Sequence, residues 1–134
     1  MVNEERRMQN GSMQRINDLL PRTKQFALAT IKFCEGLHKD ETSRILGRQL
    51  LRSGTSVGAN YRAAHRAKST ADFISKMGTV LEEADESAYW TELLFDAGKV
   101  GSAKSKPLHR EAQELVAIAV SSINTARRNS NLRD

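Results

Sequence analysis

A single cysteine among 134 residues rules out an intrachain disulfide and leaves a cysteine-based zinc site without its second thiolate. A reducing cytoplasm is the compartment such a chain fits. Proline is almost as scarce: Pro21 and Pro107 are the only two, and nothing in 22–106 forbids long helices. No segment alternates apolar and polar residues for long enough to make a half-buried strand, which excludes a sheet and leaves an all-α class. No run of about 20 apolar residues exists, so neither a membrane span nor an apolar export leader is expected. Aromatic residues make up only 5% of the chain, too few to fill a core and also furnish a row of stacking platforms.

Among the residues the chain does have, charge is distributed unevenly. The net charge is +5, but 41–68 holds six cations and one carboxylate, whereas 69–98 holds seven carboxylates and one cation. A basic segment followed at once by an acidic one points to mutual attraction rather than to a uniformly basic surface. The length is that of one domain with one core.

Four helices are expected. The first opens near Pro21, runs to about 38–40, and presents Phe26, Thr30, Phe33 and Leu37 with Ala27, Ile31 and Cys34 as one broad apolar stripe. Cys34 within that stripe reads as a packed thiol. The second covers about 42–67. Ser69 and Asp72 have capping-box spacing and start the third, which continues through Phe73, Met77, Leu81, Ala84, Ala88, Trp90 and Leu94 to a stop at Gly98. The fourth opens around Pro107 and carries Leu108, Ala112, Leu115, Ala119 and Ile123. Short links between them favour an antiparallel up-down-up-down four-helix bundle over 21–128, between a flexible N-terminal segment (1–20) and a flexible tail (129–134). Gly11-Ser12 before Met13 reads as a junction, with a natural start at Met13.

The stretch 51–77 is the organising one. Its first half crowds Ser53, Gly54, Thr55, Ser56, Gly58, Ala59 and Asn60 together, a composition that by propensity alone is loop. Its periodicity says otherwise. Leu46, Leu50, Ser53, Val57, Asn60 and Ala64 step along one side of a helix, with Leu51, Gly54, Gly58 and Tyr61 beside them. Each interior glycine costs a helix about 1 kcal/mol against alanine. Ser53, Gly54, Val57, Gly58, Asn60 and Tyr61 are therefore expected to admit a neighbouring backbone unusually closely.

Catalytic chemistry finds little support. The metal signature of helical bundles, Glu-x-x-His pairs on inward faces, is missing, since the one such spacing, Glu35 to His38, falls where the first helix stops. His38, His65 and His109 are scattered, and surface or capping roles suit them. The carboxylates Glu82, Glu83 and Glu86 read as a solvated or salt-bridged face, and the glycine-rich run lacks the Gly-Lys-Ser/Thr ending of a phosphate loop. No cofactor, metal or catalytic residue is expected. Guanidinium groups are better represented: Arg44, Arg48, Arg52, Arg62, Arg66 and Lys68, with Arg127, Arg128 and Arg133 near the end, suit phosphate contacts that do not read sequence.

The runs Gln49-Leu50-Leu51-Arg52-Ser53-Gly54-Thr55-Ser56-Val57-Gly58-Ala59-Asn60-Tyr61-Arg62-Ala63-Ala64, Asp72-Phe73-Ile74-Ser75-Lys76-Met77 and Leu81-Glu82-Glu83-Ala84-Asp85-Glu86-Ser87-Ala88-Tyr89-Trp90-Thr91-Glu92-Leu93-Leu94 closely resemble the 23S rRNA intervening-sequence protein family of bacterial four-helix bundles. That resemblance implies a homopentamer in which the small-residue helix packs closely. Accessory proteins of diversity-generating retroelements are similar bundles, and the likeness to them implies RNA or DNA and a reverse transcriptase as partners. The acidic third helix departs from their basic surface. The expectation is a non-enzymatic, cytoplasmic, oligomeric bundle that binds nucleic acid or a nucleic-acid enzyme through its basic residues. The alternative is a structural or protein-interaction module whose arginines pair with the acidic residues of helix three.

Overall fold

The structure, a computed structural model, describes residues 18–133. Four helices follow one another: α1 (Leu19–Glu35), α2 (Glu41–His65), α3 (Thr70–Asp96) and α4 (Ser102–Arg133). The N-terminal segment 1–17 and the junction at Gly11-Ser12 lie outside the described residues.

Local chemistry sets the helix ends. Asp40 accepts the Ser43 N–H at 3.0 Å with one carboxylate oxygen and the Ser43 hydroxyl at 2.8 Å with the other, closing the start of α2. The Ser69 hydroxyl accepts the Asp72 N–H at 3.0 Å and caps α3, as its spacing predicts. At the far end of α3, Gly98 takes a left-handed φ of 73°. There Lys99 N–H donates to the Leu94 carbonyl and Gly98 N–H to that of Phe95, a six-to-one and five-to-two pair that satisfies the last carbonyls.

Three boundaries differ from expectation. α1 starts at Leu19, placing Pro21 within the first turn, where a helix has no use for its N–H. α4 starts at Ser102, so Pro107 lies inside it. The carbonyl that a residue-107 N–H would have bonded belongs to Ala103; both residues are exposed, and water can serve that carbonyl. α4 also continues past Arg128 to Arg133, where the sequence suggests a tail.

The neighbours are antiparallel. Thr23 of α1 lies against Gly58 of α2, Thr30 against Gly54, and Leu37 against Gly47, so rising numbers on one helix meet falling numbers on the other. Phe73 near the start of α3 shares a surface hollow with Ser122 and Thr125 of α4, and Thr91 near its end shares one with Ser105. The up-down-up-down bundle follows directly from links this short.

Phe26, Leu50, Val57, Met77, Leu94 and Leu115 are nearly or wholly buried along the axis, joined by Ala84, Ala88, Ala112 and Ala119 between α3 and α4. Buried hydroxyls are numerous, and several bond their own helix: Thr23 to the Leu19 carbonyl at 2.6 Å, Thr30 to Phe26 at 2.8 Å, Thr91 to Ser87 at 2.8 Å. Burial of these groups is therefore inexpensive. Ile31 and Leu51, placed by periodicity on inward stripes, are 37% exposed each. The close approach of α1 and α2 leaves no room for them between the helices.

That approach explains the glycines. A Cβ on Gly54 would lie 2.6 Å from both Cγ2 and Oγ1 of Thr30, and one on Gly58 would lie 3.3 Å from the Thr23 carbonyl oxygen. α2 thus turns its glycines to α1. Its serine side faces α3, where the Ser87 and Ser53 hydroxyls meet at 2.9 Å in a buried contact. Val57 and Tyr61 fill the core between, while Asn60 bonds the Ser56 carbonyl of its own helix at 2.8 Å. Of the adjacent helix pairs, α1 and α4 touch least. A groove of about 870 Å³ lined by Phe26, Phe33 and Leu108 separates them, bridged at one end by Arg22, which grips Glu111 through two nitrogens at 2.9 and 2.8 Å and reaches Glu114 at 2.6 Å. With 32 residues against 17, α4 overshoots α1 by about 22 Å at 1.5 Å per residue.

Candidate nucleic-acid interface

The exposed side of α2 carries the arginines. Arg44, Arg48, Arg62 and Arg66 all face solvent, Arg62 in the last turn and Arg66 as the C-cap, where positive charge complements the helix dipole. Arg52 behaves differently. It forms ion pairs with Glu83, at 3.4 Å, and with Glu86 of α3 in the same chain. Glu86 also accepts the Trp90 indole N–H at 3.0 Å. Partial burial works to raise the Glu86 carboxyl, but the hydrogen bonds from Arg52 and Trp90 prevail and hold it below the ordinary value. An exposed pair of this kind contributes about 0–1 kcal/mol and fixes the facing of α2 on α3.

The remaining ion pairs define which cations are free. Arg22 is held by Glu111 and Glu114, Lys76 by Asp72 at 2.5 Å, and Lys99 by Asp40 at 3.4 Å. The Asp40 carboxyl is lowered to about 2, chiefly by the Ser43 N–H, with help from the Ser43 hydroxyl and Lys99. Arg44, Arg48, Arg62, Arg66, Lys68, Arg127 and Arg128 have no carboxylate within ion-pair distance among the described residues.

These seven do not form one row. Ala67, Lys68 and Ser69 of the α2–α3 turn line the same hollow as Ala126, Asn129 and Ser130 of α4. Arg62, Arg66 and Lys68 therefore lie at the same end of the bundle as Arg127 and Arg128, on the part of α4 that overshoots α1. Arg44 and Arg48 lie toward the other end, near the α1–α2 turn. Sequence reasoning identified all of these cations but not their division, because chain distance between 68 and 127 says nothing of their proximity across a turn. It also missed the Arg22 clamp, whose partners are far away along the chain. Among the described residues the basic end has no exposed Phe, Tyr or Trp ring: Phe73 is half-buried, Tyr61 is buried, and the well-exposed Tyr89 and Phe95 lie in the distal half of α3, which leaves the exposed His65 imidazole, 6.1 Å from the Tyr61 ring, as the aromatic group there.

Other groups are placed as structural ones. Cys34 donates its S–H toward the Gly47 carbonyl at 3.4 Å, and burial pushes the thiol up to about 11, which suppresses the nucleophilic thiolate. His109 approaches Glu92 at 3.5 Å. Among the described residues no group of three or more His, Cys, Asp and Glu side chains is placed to hold a metal ion, and no helix is long and apolar enough to cross a membrane.

Comparison with known proteins agrees with this architecture. A crystal structure of a protein with unknown function from the S23 ribosomal protein family of Bacteroides thetaiotaomicron VPI-5482 superposes with a TM-score of 0.75 at 32% identity, covering 81% of this chain and 97% of that one. Among curated proteins none matches. The 23S rRNA-intervening sequence protein family matches over residues 17–121, which include all of α1, α2 and α3 and most of α4. The chain belongs to the 23S rRNA-intervening sequence protein family.

Proposed function

We propose that this protein is a non-enzymatic, cytoplasmic, oligomeric bundle, homopentameric as the family resemblance implies, that binds RNA through the phosphate backbone. The observation that carries the reading is the basic end: Arg62, Arg66, Lys68, Arg127 and Arg128 share one end of the molecule with no carboxylate partner among the described residues. Guanidinium groups suit phosphate oxygens in any sequence, and a single exposed imidazole, His65, does not make the row of stacking platforms that single-stranded bases need. Structured RNA, read by backbone and shape, is the fitting ligand. The family name, which ties its members to 23S rRNA, points the same way. A nucleic-acid enzyme such as a reverse transcriptase, the partner of the similar retroelement accessory proteins, would meet the same surface.

Arg52 supports a second reading, a structural module whose arginines are neutralised by α3. Its pairing with Glu83 and Glu86 is of that kind. The pairing takes up one arginine and leaves the basic end untouched. Salt-titrated binding to a structured RNA separates the two. Five backbone contacts predict a log–log salt slope of roughly −4, and Arg62→Glu with Arg66→Glu should weaken binding across all sequences and flatten that slope by about 2. Affinity that is indifferent to salt and to both reversals would favour the structural module.

A further inference from the structure

The groove between α1 and α4, about 870 Å³, falls within the size range of small-molecule sites. Its floor is apolar. Phe26 and Leu108 are buried at the bottom, Phe33 is half-buried, and Ala29 and Pro107 lie exposed along its length. A hydrocarbon chain laid over that floor removes apolar surface from water on both sides of the contact, and this drives occupation.

Charge gives the groove a direction. Three charged residues line it: Lys32, Lys104 and Glu111. At one end Glu111 is already neutralised, its two oxygens held by Arg22 at 2.9 and 2.8 Å. At the other end stand Lys32, in the last turn of α1, and Lys104, near the start of α4. Both are exposed, and neither has a carboxylate within ion-pair distance among the described residues. The two lysines meet at this end: the Lys104 ammonium lies 3.7 Å from where a Cβ on Gly36 would stand, one helical turn beyond Lys32.

We propose that this groove binds a free single-chain amphiphile with an anionic head, the chemistry of a fatty carboxylate. The head sits between Lys32 and Lys104, and the tail runs over Phe33, Pro107 and Leu108 toward Phe26. From Gly36 back to Phe26 the groove follows α1 for about 15 Å at 1.5 Å per residue. An extended hydrocarbon advances about 1.25 Å per carbon, from single bonds of about 1.5 Å, so roughly ten to twelve carbons fill it. A longer tail meets the charges of the Arg22–Glu111 clamp. The floor is recessed between two helices, which suits a monomer in solution rather than a bilayer surface. The site is independent of the RNA reading, whose basic end lies at the opposite end of the bundle.

Calorimetric titration of the full chain with sodium decanoate, kept below micelle formation, tests this. Binding should saturate at one decanoate per chain. Affinity should rise roughly three- to fourfold per added methylene from octanoate to decanoate and stop rising beyond dodecanoate. Decylammonium, the same tail with the opposite charge, should bind at least tenfold more weakly. Lys32→Gln with Lys104→Gln should erase that preference for the anion, whereas Arg62→Glu with Arg66→Glu should leave decanoate affinity unchanged. Ala29→Phe, which fills the groove from an exposed position, should weaken every chain length. Circular dichroism verifies that each variant keeps its helices. Absence of saturable binding, as when a protein segment occupies the groove instead, overturns the proposal. So does equal affinity for decanoate and decylammonium, or an equal loss from the lysine and arginine pairs, which would mean general attraction to a basic protein.

Discussion

Replacing glycine by alanine at positions 54, 58 and 78 makes the same chemical change in three helical settings, and the structure orders the outcomes. In a helix interior alanine gains about 0.5–1 kcal/mol over glycine by intrinsic propensity. At Gly78, on α3, an added Cβ meets nothing within 4 Å, so that gain should appear undiminished. At Gly58 the Cβ would lie 3.3 Å from the Thr23 carbonyl oxygen and 3.4 Å from its carbon, main-chain atoms that yield only if α1 shifts by a few tenths of an ångström; gain and strain should nearly cancel. At Gly54 the Cβ would fall 2.6 Å from both branches of Thr30 and 3.0 Å from its Cβ. Rotating the threonine exchanges one branch for another, and the side chain is wholly buried, so α1 itself must back away. Overpacking of this kind typically costs about 1–3 kcal/mol, leaving Gly54→Ala destabilised by roughly 1–2 kcal/mol after the propensity gain. Urea unfolding at one fixed protein concentration gives the three values. Adding Thr30→Ala should recover part of the Gly54→Ala loss, a favourable coupling measured by the double-mutant cycle. Equal stabilisation at positions 54 and 78 would mean that α1 does not lie against α2 as described.

Other expectations follow from single contacts. Arg52→Ala should change stability by less than about 1 kcal/mol, because the pair with Glu83 and Glu86 is exposed, and should leave RNA affinity unchanged; a large loss of binding would move Arg52 into the interface. Asp40 has its carboxyl lowered from 3.8 to about 2, so its contribution is present above 3.8 and lost as pH falls through 2. Asp40→Asn should therefore flatten the decline of Tm between pH 4 and 2, and an undiminished decline would show that the carboxylate charge is immaterial. Cys34, its thiol raised to about 11, should react with a thiol reagent at pH 8 far more slowly in the folded chain than in urea, and equal rates would contradict the packing of α1 on Gly47.

Much of this architecture was legible in residue order because local rules and global packing agree. Ser69 and Asp72 announce the start of α3, and Gly98 its end, through interactions within a few residues. The small-residue stretch was readable as helix because its periodicity outlasts its poor propensity, a conflict that only a close neighbour resolves. Which neighbour was not readable: Gly54 and Gly58 face α1 while Ser53 faces α3, and both lie within the inward arc that periodicity describes. Ile31 and Leu51 were misplaced for a related reason, since apolar spacing marks a broad face and glycine contact narrows it. Pro107 was taken for a helix start because a proline's penalty depends on whether the carbonyl four residues back can reach water, which no sequence pattern reports. The cations were visible as residues, but Arg52 was separated from Arg62 and Arg66 only by the positions of Glu83 and Glu86 across the bundle.

The unequal lengths of α1 and α4 give the molecule a blunt end and a tapered one. Where four helices run together, each main chain is shielded on two sides; beyond the first residue of α1 only three continue, and the last turns of α4 lie against the start of α3 and the turn that leads into it. Amide protons there should trade with solvent soonest, and the arginines they bear ride on the part of the scaffold with the least to lose by adjusting. In the proposed RNA contact, cations carried on these less shielded turns would follow an irregular phosphate contour without disturbing the interior.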